Sequence, residues 1–133
     1  MLLFVVDDDP MIVQLSSTAR LAFEAGEVPK AVVMYRRALD RARAMDNARE
    51  IGRNAHNLAA GLIALEEWDE VTGLLAEAER ETIRAGDDAG PILLLAAETQ
   101  VSQKNWNEAE AVIDRLEAMN IGDETRGQAY VLR

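Results

Sequence analysis

"AGEVPKAVVMYRRALDRA" (residues 25–42) decides the reading of this chain. A short polar turn opens it, and an amphipathic helix follows, with residues such as Ala31, Tyr35 and Ala38 at helical spacing. Two later stretches repeat the plan: "LEEWDEVTGLLAEAERE" (65–81) and "QKNWNEAEAVIDRLEAM" (103–119). Their anchors Val28, Trp68 and Trp106 lie 40 and 38 residues apart. Self-similarity with a period of about 20–50 residues signals a stack of repeated units.

A helix precedes each of these turns. The first helices are expected over Pro10 to Ala25, Ala48 to Leu65 and Gly90 to Gln103. Their partners are expected over Pro29 to Met45, Trp68 to Ala85 and Trp106 to Met119. A seventh helix is expected from about Glu124 to the last residue, Arg133. The breaks "AGE", "AMDN", "AGDDAG" and "NIGD" carry Gly, Asp and Asn, which stop and restart helices. The fold class is therefore all-α. A leader spans 1–9, and a helical domain spans 10–133. Its repeats cover about 10–46, 47–87 and 88–121, with a partial fourth over 122–133.

Composition agrees. Hydrophobic residues make up 49% of the chain, so a core can form, and aromatics only 5%, so Ala and Leu fill it. Both favour helices, because they lose little side-chain freedom there. The net charge of −10 repels phosphate backbones and argues against nucleic acid as a partner of this segment. The absence of cysteine removes disulfide and thiol chemistry. "LLFVV" is too short to cross a bilayer, so no membrane insertion is expected. The cytoplasm is the favoured compartment, with the periplasm open if an upstream signal was removed.

The opening "MLLFVVDDDP" resembles the first strand and acid pair of a bacterial receiver domain. A receiver would need an acceptor aspartate ending a later strand. The region "AREIGRNAHNLAAGLIALEEW" instead reads as helix and offers none. Asp9 before Pro10 reads as an N-cap followed by proline at the first helical position. Asp7 and Asp8 add favourable charge near the helix start. No metal and no cofactor is assigned.

The three stretches together resemble the tetratricopeptide repeat family, whose antiparallel helix pairs form a right-handed superhelical array. The family places a small residue midway along the first helix. A small, a large and a small residue follow along the second. Here these are Ala19, Ala31, Tyr35 and Ala38, then Ala59, Val71, Leu75 and Ala78, then Ala97, Ala109, Ile113 and Leu116. Small residues let two helices cross closely and the large one fills the gap beside them. The family's usual period is about 34 residues. The longer period here resembles kinesin light chains and the sensor regions of some bacterial transcription regulators.

The resemblance implies a concave groove lined by the first helix of each pair. It maps the groove onto Arg20 and Phe23, then Arg53, His56 and Asn57, then Leu94 and Glu98. Val13, Ser16, Ser17, Ala60, Ile63, Pro91, Leu95 and Val101 complete the lining. Pro91 and Leu95 stand where a carboxylate clamp of the chaperone-binding kind needs cations, which argues against that ligand. Arg20, Arg53, His56 and Asn57 form a polar, partly cationic patch beside apolar neighbours. Such a patch suits a peptide carrying an acid next to hydrophobic anchors. The plainer reading pairs Arg20 and Arg53 with nearby acids.

His56 is the sole histidine and has no evident nucleophile or further metal ligands near it, so it reads as a polar groove residue. Trp68 and Trp106 read as packing residues between helices. Gly61 and Gly73, inside helices, read either as points of close approach or as soft points. The expected function is a non-catalytic scaffold that binds a protein or peptide partner in the groove. The alternative is a ligand-sensing or autoinhibitory segment of a larger bacterial transcription regulator. Apolar residues near the C-terminus, Tyr130 to Leu132, imply either that this segment belongs to a longer array or that this end self-associates.

Overall fold

The computed structural model describes residues 9–119, which form six α-helices and, among the described residues, no strand. They are α1 (Pro10–Glu24), α2 (Val28–Ala44), α3 (Ala48–Ala64), α4 (Val71–Arg84), α5 (Gly90–Ser102) and α6 (Trp106–Ala118). None is long and apolar enough to cross a membrane. The chain divides into two compact units, the first holding α1–α4 and the second α5–α6.

Helix starts follow local chemistry. The Asp9 carboxylate accepts from the backbone N–H of Met11 (3.0 Å) and Ile12 (3.1 Å), satisfying two donors that have no partner inside the helix. Asn47 does the same for Glu50 at 3.2 Å, and Asp88 accepts from Gly90 at 2.8 Å.

Helix ends share one device. A single residue in the left-handed region follows α1 to α5: Gly26 (φ 84°), Asp46 (51°), Glu66 (56°), Gly86 (81°) and Lys104 (62°). After α1 the N–H of Glu27 reaches the Ala22 carbonyl and that of Gly26 reaches Phe23, a Schellman motif. The same pair of bonds closes α2, α3 and α5. Glycine enters this conformation at no steric cost, whereas Glu66 bears a Cβ penalty of about 1–2 kcal/mol. The extra unfolded-state freedom of glycine takes back about 0.5–1 kcal/mol. Glu66→Gly should therefore raise stability by about 0.5 kcal/mol, seen as a higher urea midpoint at unchanged slope. A lower midpoint would show that the turn is not under this backbone strain.

In the first unit α1 and α2 are antiparallel. Arg41, near the end of α2, reaches the Asp9 carboxylate at the start of α1 (3.1 Å). That hydrogen bond is the leading reason why the Asp9 carboxyl lies below its ordinary range. The α3–α4 pair lies against this one chiefly through α3, which packs on α2 and also touches α1, while long side chains link α2 to α4. On the α2–α4 side Arg36 grips Glu70 with two bonds (2.8 and 2.9 Å), and Arg43 grips Glu77 likewise (2.9 and 2.7 Å). Arg84 closes the row on Asp46 at 2.7 Å. Both numbers in the first two pairs rise together, so α2 and α4 run in the same direction.

These arginines, hydrogen-bonded to Glu70 and Glu77, hold both carboxyls below their ordinary range. Depressed carboxylates stabilise the fold above about pH 4, and the contribution is lost as pH falls through the lower folded values. Exposure keeps each pair modest.

The crossing residues named from sequence are all buried, in all three helix pairs. Ala19, Ala31, Ala38, Ala59, Ala78 and Ala97 are fully enclosed. A larger side chain at these crossings would hold the helices apart. The second unit packs Leu93 and Ala97 of α5 against Ile113 and Leu116 of α6, with Val112 alongside.

Several expectations need correction. α4 starts at Val71, three residues beyond Trp68, because residues 65–70 form the inter-helix turn. Trp68 is half-buried in that turn. Trp106 does not pack between helices. It is 61% exposed, at the first residue of α6 and one turn ahead of the first buried position, Ala109. Gly61 is a point of close approach, since a Cβ there would stand 2.8 Å from Val32 Cγ2, while Gly73 faces open space. The leader, the seventh helix and the apolar residues Tyr130 to Leu132 lie outside the described residues.

Candidate functional site

The face shared by α1 and α3 carries five of the groove residues mapped from sequence. Arg20 is exposed and Phe23 half-buried on α1. Arg53 is exposed, and His56 and Asn57 are half-buried, on α3. Leu94, half-buried, and Glu98, exposed, stand on α5 in the second unit.

A buried polar network underlies this face. Asn54 is fully enclosed. Its Oδ1 accepts the Ser16 hydroxyl across the α1–α3 gap at 2.9 Å. Its Nδ2 donates to the Glu50 carbonyl at 2.9 Å and to Glu50 Oε1 at 3.3 Å. The other oxygen of Glu50 accepts from Arg53 Nη1 at 2.9 Å. Glu50 is itself buried, so Arg53 neutralises a charge that burial would otherwise penalise. Every buried side-chain nitrogen and oxygen among the described residues has a partner. The Ser16–Asn54 hydrogen bond of this network ties α1 to α3.

This changes the roles assigned from sequence. Arg53 belongs to the support of the face through Glu50, as the plainer reading of ion pairing had it. Arg20 is exposed and bonds to no carboxylate among the described residues. Ser16 spends its hydroxyl proton on Asn54, so it is not aimed at His56. Burial lowers the His56 pKa below its ordinary value, leaving the ring neutral at pH 7. Among the described residues no three His, Asp or Glu side chains converge on a metal position. The face presents hydrogen-bonding groups, the exposed Arg20 guanidinium and the half-buried Phe23 ring.

Asn54 and Glu50 went unnoticed in the sequence, although a signal was there. Ile51, Ala55, Leu58 and Leu62 mark the apolar stripe of α3, and Asn54 falls inside it. A polar residue inside a buried stripe must find partners. A hollow of about 330 Å³ is lined by Glu66, Glu67, Trp68, Asp69 and Glu70. It is confined to the α3–α4 turn, and Glu70 there is already held by Arg36.

No family model matches the chain, and no curated protein and no solved structure matches it either.

Proposed function

We propose that the helix pairs stack as a right-handed tetratricopeptide-like array that binds a protein or peptide segment without catalysis. The bound segment lies along the face of α1 and α3. The observation that supports this most is an exposed surface held rigid from beneath. The Ser16–Asn54–Glu50–Arg53 network fixes two neighbouring helices, while Arg20, Asn57 and Val13 remain outward or partly outward. Preorganised helices lower the entropic cost of binding. A carboxylate of the partner would take the Arg20 guanidinium, and an apolar side chain would rest on Val13 or Phe23.

The test is capture of a partner on the immobilised chain, followed by affinity measurement with variants. Arg20→Glu should weaken the captured partner at least about tenfold, the value of one charge-assisted hydrogen bond, with Asn57→Ala weaker by less. Both leave melting nearly unchanged, because neither residue belongs to the buried network. Equal affinity of the double variant would move the site off this face. Arg53→Ala is the wrong probe, since it strands the Glu50 charge and mixes folding with binding.

A further inference from the structure

The α3–α4 pair packs on α1–α2 mainly through α3 against α2, and a few polar and close contacts set its register. Asn54 takes the Ser16 hydroxyl, and Glu70 and Glu77 take Arg36 and Arg43. Gly61 backs onto Val32 so closely that there is no room for a Cβ. A shift of 40 residues carries this pair onto α1–α2, matching Ala59 with Ala19, Val71 with Ala31, Leu75 with Tyr35 and Ala78 with Ala38, all buried. The same shift carries Asn54, Glu70, Glu77 and Gly61 onto Gln14, Lys30, Arg37 and Leu21, and buried Ile51 onto Met11.

The α1–α2 pair thus repeats, on its outer edge, the surface that α3–α4 uses for stacking. Two differences define what fits there. The apolar part of the edge is uncovered among the described residues, with Met11 54% and Leu21 61% exposed, where a solvent-facing cap would be polar. Its charges are also reversed: Lys30 and Arg37 stand where Glu70 and Glu77 make their ion pairs.

We propose that this edge docks a second copy of the chain through that copy's α6. Charge complementarity selects the occupant. The docking helix needs an acid where α2 has Arg36. The register that aligns Ala109, Ile113 and Leu116 with Ala31, Tyr35 and Ala38 puts Asp114 at that place and Glu110 at the place of Val32. Both are exposed. Asp114 then meets Lys30, the inverse of the Arg36–Glu70 pair. A flexible Glu110 in place of stiff Val32 leaves room for Leu21 where α3 needs Gly61. Eight of the 14 Lys and Arg lie between Arg20 and Arg53, while 14 of the 24 Asp and Glu lie between Glu66 and Glu117. Opposite charges therefore meet head to tail, although the net charge alone would keep copies apart. The two surfaces differ, so the contact is heterologous and propagates beyond a dimer.

Sedimentation of the full chain at rising concentration tests this. At low salt the average mass should climb past the dimer without a plateau, and added salt should disperse it. Lys30→Asp and Asp114→Lys should each weaken association at least tenfold while circular dichroism stays unchanged. An equimolar mixture of the two variants should associate again, because each copy then meets an opposite charge at both contacts. Leu21→Ser should weaken association without a charge change, and Asn57→Ala should leave it intact, which separates this edge from the α1–α3 face. A monomer at every concentration, a plateau at the dimer, or a mixture that stays monomeric would overturn the proposal.

Discussion

Gly52→Val is expected to destabilise the fold by about 3 kcal/mol, the upper end of the usual overpacking range. Gly52 lies in α3 where that helix passes α4. A Cβ placed there runs into Thr82 Oγ1, stands 3.1 Å from the Thr82 backbone nitrogen and 3.4 Å from the Ala78 carbonyl oxygen. The hydroxyl could turn aside, but the backbone atoms belong to a helix and cannot. Valine adds two stiff methyl groups to the same crowded spot. The matched control is Gly73→Ala in α4, where nothing lies within 4 Å. There the substitution should stabilise by about 1 kcal/mol, the helix preference of alanine over glycine. Thermal or urea unfolding of the two variants reads the contrast directly. If both shift the midpoint in the same direction, close helix approach is not what Gly52 provides.

Asn54→Leu is expected to cost about 2–3 kcal/mol despite conserving volume and adding apolar surface. Leucine supplies no acceptor for the half-buried Ser16 hydroxyl and no donor for the buried Glu50, so two groups lose partners at once. The double variant Ser16→Ala with Asn54→Leu should recover part of the loss, because removing both members of a buried pair costs less than removing one. Additive losses in that cycle would show that the Ser16–Asn54 bond carries no coupling. Because this bond joins α1 to α3, its loss should also weaken any ligand held across that face.

The helices were largely legible in the sequence. Apolar spacing and Asp9–Pro10 placed the start of α1, and "AGE" and "AMDN" placed the turns after α1 and α2, because capping and periodicity act within a few residues of the chain. The crossing residues were legible for the same reason, since small residues recur at one place in each helix pair. The Arg53–Glu50 pair, three residues apart on one helix, was also within reach of sequence reasoning.

What only the tertiary structure decided spans the interval between helix pairs. Periodicity says that Gly52 lies on a buried stripe, but not that Thr82 waits opposite it. It says that Arg36 and Arg43 face outward, but not that Glu70 and Glu77 lie within reach, 34 residues on. It gives two asparagines on α3, and only the position of Ser16 on the neighbouring helix makes Asn54 the buried one and leaves Asn57 at the surface. Local forces set each helix and its polar stripe. Contacts between helices depend on how far one pair shifts and turns against the next, and that is set by the summed packing of many side chains, which no single stretch of sequence contains.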